Sequence, residues 1–317
     1  MREIQAVVTR HLILGLLFFM PRAWRYRLER RLRGKEEYRK LCAADWVLIS
    51  WAKSGRTWFR VMLSRFYQVK HGLPRRHLLE FDNLHRRNAA IPRVLFSHNN
   101  YMRDYLKDRD TLNHFRGKKV VMLVRDPRDV AVSQFFQWKY RMRPHKIRLN
   151  KFPEPGTELG TFEFVTSPRS GIPKIIEFYN DWAGAFSYLG DILIVHYEDM
   201  RKDPAATMRQ VLEFVGTPGS DAEIAQAVEF ASLENMKKRE KKSTFRGSSM
   251  RVKSGDPGNP DSFKTRRGKV GGYRDYFDDE QVTVVDKLVE EGLDPVFGYS
   301  TAAGTDTVTA GKGSAAQ

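Results

Sequence analysis

Apolar residues in this chain gather in short runs, separated by longer stretches of helical period. Trp46–Ser50 (WVLIS) and Lys119–Val124 (KVVMLV) are nearly continuous apolar runs of strand length, bounded by polar residues. Each is too short for a buried helix, so both are read as buried strands. Val94–Ser97 and residues 191–197 (DILIVHY) are two further candidates. Between them the period changes. From Thr57 to about Lys70, the residues Trp58, Val61, Met62, Arg65 and Phe66 recur at helical spacing. A helix is expected from about Arg128, because proline near a first turn is a start signal and Pro127 stands there. Residues 173–189, 204–215, 221–230 and 279–291 complete the helices. Strands alternating with helices predict an α/β fold: a central parallel sheet flanked by helices on both faces.

The pattern lapses at both ends and once in between. Residues 236–272 are rich in Lys, Arg, Gly and Ser with little periodicity, and read as a long basic loop. Residues 301–317 are Ala, Gly, Thr and Ser, and read as a disordered tail. Residues 1–40 read as a basic helical leader, which leaves 41–300 as the folded domain. Within the leader, residues 12–20 (LILGLLFFM) form an apolar run that falls well short of the ~20 residues a membrane span needs. Pro21-Arg22-Ala23-Trp24 is a poor signal-peptide cleavage site. Arg22, Arg25, Arg27, Arg30, Arg31, Arg33 and Lys35 follow. An apolar segment backed by arginines suits a membrane interface with anionic head groups. A helix packed on the domain explains the same pattern, and both readings stand.

Charge narrows the partners. Lys plus Arg number 55 against 38 Asp plus Glu, a formal net charge of +17. Such an excess favours an anionic partner: a nucleotide, a nucleic acid, an acidic glycan or an anionic membrane face. The single cysteine, Cys42, excludes an intrachain disulfide and any site built from several thiolates. A reducing, cytoplasmic compartment is expected, with peripheral contact at the inner face of a membrane through residues 1–35 as the reading the leader leaves open.

Two strand-to-helix loops carry the chemistry. The first follows Trp46–Ser50 and reads Trp51-Ala52-Lys53-Ser54-Gly55-Arg56-Thr57-Trp58. Such a loop presents backbone N–H groups and the positive end of a helix to one point, which suits a phosphate or sulfate. Gly55 permits close approach of the backbone, Lys53 and Arg56 add charge, and Thr57 adds a hydroxyl donor. The Walker spacing of a nucleoside-triphosphate loop is absent, since the lysine precedes the glycine. The second loop, Arg125-Asp126-Pro127-Arg128-Asp129, leads into a helix that bears Ser133. Its arginine stands at the carboxyl edge of a strand, where open α/β sheets bind ligands.

Lys53-Ser54-Gly55-x-Thr57-Trp58 resembles the 5′-phosphosulfate loop of the sulfotransferase family, with Ala52 in place of the usual Pro and Arg56 in place of the usual Thr. The second loop is similar to that family's 3′-phosphate motif, in which the arginine and serine correspond to Arg125 and Ser133. Three more segments fit. Arg93–His98 resembles the stretch carrying the catalytic histidine, here His98. Residues 195–200 resemble the tyrosine segment near the adenine, here Tyr197. Arg266-Arg267-Gly268 resembles the late motif that closes over the 3′-phosphate, although Gly272 and Tyr273 replace its Asp and Trp. The family's adenine-stacking aromatic appears here as Leu233. The resemblance spans about residues 46–277.

It implies a sulfotransferase with a P-loop-like phosphosulfate-binding loop. The enzyme would use 3′-phosphoadenosine 5′-phosphosulfate as co-substrate without a metal, and transfer sulfonate to a hydroxyl or amine by in-line displacement. It implies Lys53 and His98 as catalytic residues, His98 being the base. Asp104 is the one nearby carboxylate that could replace that base. For the cofactor it implies Lys53, Ser54, Gly55, Arg56, Thr57, Trp58, Arg125, Ser133, Tyr197, Arg266, Arg267 and Gly268. The acceptor is a small molecule, a lipid or a glycan, and its pocket is expected from loops near 70–90, 139–170 and 236–262. Trp138, Tyr140, Phe162 and Phe164 stand either in an apolar pocket or in the core. No specific nucleic acid is expected. The competing readings are a P-loop-like kinase, and a basic protein that binds membranes or nucleic acid without catalysis.

Overall fold

The computed structural model describes residues 2–75, 77–108, 110–242, 258–263 and 266–299. The tail at 301–317 and the centre of the basic stretch, 243–257, lie outside them. Four strands, β1 (Trp46–Ser50), β2 (Val94–Ser97), β3 (Lys119–Val124) and β4 (Ile192–His196), form one parallel sheet in the order β2-β1-β3-β4. Leu48 stands opposite Phe96 on one side and Val121 on the other.

Because side chains alternate along a strand, each strand feeds two cores. Trp46, Leu48, Val121 and Leu123 enter one, and Val47, Ile49, Val120, Met122 and Val124 enter the other. The first is covered by helices Arg56–Lys70, Pro204–Phe214 and Asp221–Phe230, through residues such as Phe59, Phe66, Val211 and Ile224. The second is covered by Pro127–Tyr140, Ile172–Leu189 and Asp279–Gly292, through residues such as Val130, Tyr179, Trp182 and Val289. Cover on both faces is why β1 and β3 read as unbroken apolar runs and not as alternating ones. The helix after β1 lies on one face and the helix after β3 on the other. The crevice at the carboxyl ends of β1 and β3 is therefore where ligands bind in open sheets of this kind.

One expectation changes and one open alternative is settled. Residues 233–242 form a helix that takes in the start of the loop expected at 236–272. Leu233 and Met236 recur at helical spacing within the lysine-rich run, and Met236 is buried. Trp138 and Phe164 are core residues, stacked with ring centroids 5.1 Å apart. Phe162 packs against the same core, and Tyr140 lies on Phe136 at its edge. Trp138 and Phe164 therefore belong to the core and hold helix Pro127–Tyr140 in place.

The N-terminal region is two helices, Arg2–Leu16 and Arg22–Ala43. The second packs against the sheet edge and places Leu41 in the core. Arg30 anchors it, donating to both oxygens of Asp104 at 2.8–3.1 Å and to the carbonyls of Leu149 and Asn100. The first is tied to it by Arg10 and Glu36, 2.9 Å apart. Beyond that tie, Leu12, Leu16, Phe18, Phe19 and Trp24 stand exposed, Phe18 at 75%. Among the described residues, no helix is long and apolar enough to cross a membrane.

Candidate functional site

The first loop turns sharply between Ser50 and Arg56. Lys53 and Gly55 both take positive φ, 77° and 93°. Gly55 has a reason beyond its own dihedral: a Cβ there would come within 2.6 Å of the Tyr197 ring. Its absence lets Tyr197 lie against the loop. No side chain caps the first turn of helix Arg56–Lys70, which leaves its amides to an incoming anion. Lys53, Gly55, Arg56, Thr57 and Trp58 line a cavity of about 330 Å³. Ser54 does not: its side chain is wholly buried, beside Tyr179. Any part it plays toward a ligand is through its backbone.

The second loop holds the others together. Arg125 is 9% exposed and reaches three segments. It donates to Asp129 at 3.1 Å, to the carbonyl of Lys269 at 3.0 Å and to the carbonyl of Lys53 at 3.4 Å, and its guanidinium lies 4.3 Å over the Tyr197 ring. Burial disfavours its charge, but Asp129 and Tyr197 more than offset that and leave its pKa raised. Asp129 in turn accepts from the amides of Gly271 and Tyr273 at 3.0 and 2.9 Å, fixing the late glycine-rich segment over the cavity. Arg266 lies 3.7 Å over Phe136 and bonds the Tyr276 hydroxyl, while Arg267 pairs with Asp275 at 2.8 Å. Trp58, Tyr197 and Leu233 give one wall an apolar character, with Gly268 against Leu233 and Tyr197.

Cations crowd this cavity, and Lys53 registers it. Burial, then the charges of Arg141, Arg125 and Arg266, lower its pKa to about 7. The lysine is thus held partly neutral until negative charge arrives.

His98 closes one end. Its Nδ1 lies 2.5 Å from the carbonyl of Ser50, which can only accept, so Nδ1 carries the proton and Nε2 the lone pair. Arg56 Nη2 donates to that lone pair at 2.6 Å. Behind them lies a second cavity of about 660 Å³ whose lining shares only Arg56 and His98 with the first.

Every residue inferred from the sequence except Ser54 therefore lines the first cavity: Lys53, Gly55, Arg56, Thr57, Trp58, His98, Arg125, Ser133, Tyr197, Arg266, Arg267 and Gly268. Asp104 is elsewhere, locked to Arg30. The sequence reading missed Asp129, Arg201 and Lys269, which line the cavity too. Asp129 stood inside the second motif, and a carboxylate four residues after Arg125 on a helix start was its signal. Among the described residues, no group of three or more His, Cys, Asp or Glu side chains converges as a metal site would require.

Comparison with known proteins bears on this arrangement. A family model described as the sulfotransferase domain matches residues 43–297. The chain is 27% identical over 184 residues to sulfotransferase 2A1 of Rattus norvegicus, covering 55% of this chain and 56% of that protein. It is 26% identical over 187 residues to flavonol 3-sulfotransferase of Flaveria bidentis, covering 55% and 54%. It thus spans a little over half the length of these curated relatives. Mouse sulfotransferase SULT7A1 complexed with PAP has a similar fold, with a TM-score of 0.52 and 20% identity, covering 81% of this chain and 89% of that one. Retinol dehydratase in complex with androsterone and inactive cofactor PAP is alike at 0.52 and 20%, covering 78% and 79%.

Proposed function

The chain belongs to the sulfotransferase domain family, and on that premise we propose that it transfers sulfonate from 3′-phosphoadenosine 5′-phosphosulfate to a hydroxyl or amine acceptor. The observation that carries the reading is the convergence of four separate segments, those at Lys53, Arg125, Tyr197 and Arg266, on one cationic cavity with His98 at its end. The residues fit the donor. Gly55 leaves room for Tyr197 against the loop, the lining is rich in N–H and O–H donors, and Trp58, Tyr197 and Leu233 supply an apolar wall for the adenine.

The donor supplies a sulfonate already activated by its bond to a phosphate. The chain's part is to position it and to stabilise charge. Lys53, Thr57 and the amides of the first loop take the 5′-phosphate, where negative charge gathers as the bond to sulfur breaks. Lys53 becomes fully cationic on meeting that charge. Arg125, Ser133 and Arg266 take the 3′-phosphate, with Arg267 at the rim. His98, protonated on Nδ1, has its lone pair in position to accept the acceptor's proton at neutral pH. Arg56 holds that lone pair and also lines the donor cavity. An anionic sulfonate competes for the guanidinium and so frees the base when the donor is in place. A kinase reading would need a Walker-type loop that this chain lacks.

The test is calorimetric titration with 3′-phosphoadenosine 5′-phosphate (PAP). Wild-type protein binds, and Arg125→Ala and Arg266→Ala each weaken binding by about 10- to 100-fold, the worth of a charge-assisted hydrogen bond. No binding by folded wild type overturns the reading.

We also propose peripheral contact with an anionic membrane through residues 8–35, the protein being otherwise cytoplasmic. The exposed ridge Leu12, Leu16, Phe18, Phe19 and Trp24, flanked by arginines, supports it. Flotation with vesicles containing phosphatidylglycerol should carry the protein up, and Phe18→Glu with Phe19→Glu should leave it behind. A wild type that stays behind would rule the contact out, and equal flotation of both would rule out the ridge as its source.

A further inference from the structure

The second cavity is larger than the first and differs in chemistry. Beside His98 and Arg56 stand Ser97 and Glu37, with the Ser97 hydroxyl donating to the Glu37 carboxyl. Burial pushes Glu37 above the usual carboxylate range, toward its neutral acid. Another group in the lining is Arg10, Arg33 and Lys146, close enough to repel one another.

Each of the three keeps unspent donor capacity. Arg10 is 8% exposed, and among the described residues its Nε has no partner although Nη1 pairs with Glu36. Arg33 gives Nε and Nη2 to Glu29, which leaves Nη1. Lys146 makes no ion pair among the described residues, and burial, with Arg33 and Arg10 nearby, lowers its pKa to about 8. The lining holds six Lys and Arg side chains, with Lys40 sharing Glu36 with Arg10, against three carboxyl groups, Glu36, Glu37 and Glu80. Half-buried positive charge without enough counter-charge is costly, and a bound anion relieves it.

We propose that this cavity is the acceptor site, built for an alcohol that also carries a phosphate or a similar oxyanion. The hydroxyl is presented to His98 and the anion is held by Arg10, Arg33 and Lys146. The inference rests on the sulfotransferase reading above. In the transfer, the acceptor oxygen bonds to sulfur, the bond from sulfur to the donor's phosphate oxygen breaks, and the acceptor's proton leaves to His98 Nε2. A neutral phenol or sterol would leave the spare donors of Arg10 and Arg33 and the charge of Lys146 unmet. The anion belongs either to a soluble phosphate ester or to a lipid head group. The cavity wall includes Val8, on the same helix as Leu12 and Leu16 of the exposed ridge.

The test uses full-length protein saturated with PAP, so that the donor's two phosphate sites are filled. Inorganic phosphate is then titrated by calorimetry. Wild type binds phosphate, and Lys146→Gln and Arg10→Gln each weaken it at least about tenfold while the affinity for PAP is unchanged. Lys146→Gln breaks no ion pair, so it reports even where Arg10→Gln fails to fold. Absence of phosphate binding to the loaded enzyme, or binding that both variants leave intact, overturns the proposal. Failure of PAP itself to bind is a separate outcome and overturns the underlying reading. Sulfonate transfer from radiolabelled donor to glycerol 3-phosphate against glycerol, and to phosphatidylglycerol against monoacylglycerol in phosphatidylcholine vesicles, then separates a soluble source from a lipid one. Equal transfer to the neutral partner in both pairs also overturns it.

Discussion

The first cavity and the second meet at Arg56 and His98 and are assembled in opposite ways. The first is made of loop ends. Lys53, Gly55 and Thr57 follow β1, Arg125 and Ser133 follow β3, Tyr197 follows β4, and Arg125 with Asp129 stitches these to the late segment near Lys269 and Tyr273. The second sets helix faces, which supply most of its charged groups, against strand β2. Arg10, Arg33 and Glu37 come from the N-terminal pair of helices, and Lys146 from the short helix Pro144–Leu149. A site at strand ends is positioned by the sheet's hydrogen bonds. A site between helices is positioned by how those helices pack.

The largest effect should come from breaking the first cavity alone. Lys53→Met is expected to lower kcat by at least about 10²- to 10³-fold, the typical cost of one preorganised donor to developing charge. Phosphate binding in the second cavity should persist. Loss of both would mean that the cavities are one cooperative unit. Next comes the junction. His98→Ala is expected to cost about 10²- to 10⁴-fold in kcat while leaving the affinity for PAP within a few-fold of wild type. Weak PAP binding by this variant would make His98 a structural support of the loop at Ser50 and not the base.

The smallest effect sharpens the electrostatic side of the comparison. Free Lys53 has a pKa near 7, so at pH 8 it is mostly neutral. Phosphates bound beside it favour the cation, so its pKa is higher in the complex than in the free protein. Binding must then take up protons, and PAP affinity must fall as pH rises above 7 until the pKa in the complex is reached. Calorimetry at pH 8 in two buffers of different ionisation enthalpy should report an uptake of about one proton per PAP, absent in Lys53→Met. Zero uptake by wild type would mean that the lysine is already charged in the empty cavity.

Much of the first cavity was legible along the chain. Gly55 and Lys53 lie between an apolar run and a helical period, and Arg125 ends another such run, so local pattern located each of them. Asp129 was in view but unassigned, because its partners, the amides of Gly271 and Tyr273, are more than a hundred residues away. The helix over 233–242 was hidden by its lysines, which dilute the apolar spacing of Leu233 and Met236. The aromatics Trp138 and Phe164 had two readings, and only packing decided for the core.

The sequence by itself determined the α/β order of elements, the two anion loops and the basic character of the chain. These follow from local rules: strand length, helical period, proline and glycine at turns, and side-chain charge. The tertiary structure decided what the charges do. It turned Arg125 into a tie among three segments and set Arg56 on the lone pair of His98. It brought Arg10, Arg33 and Lys146 around one cavity. Whether a cation is paired, crowded or poised for a ligand depends on neighbours brought in from distant parts of the chain, and on how much water their packing removes.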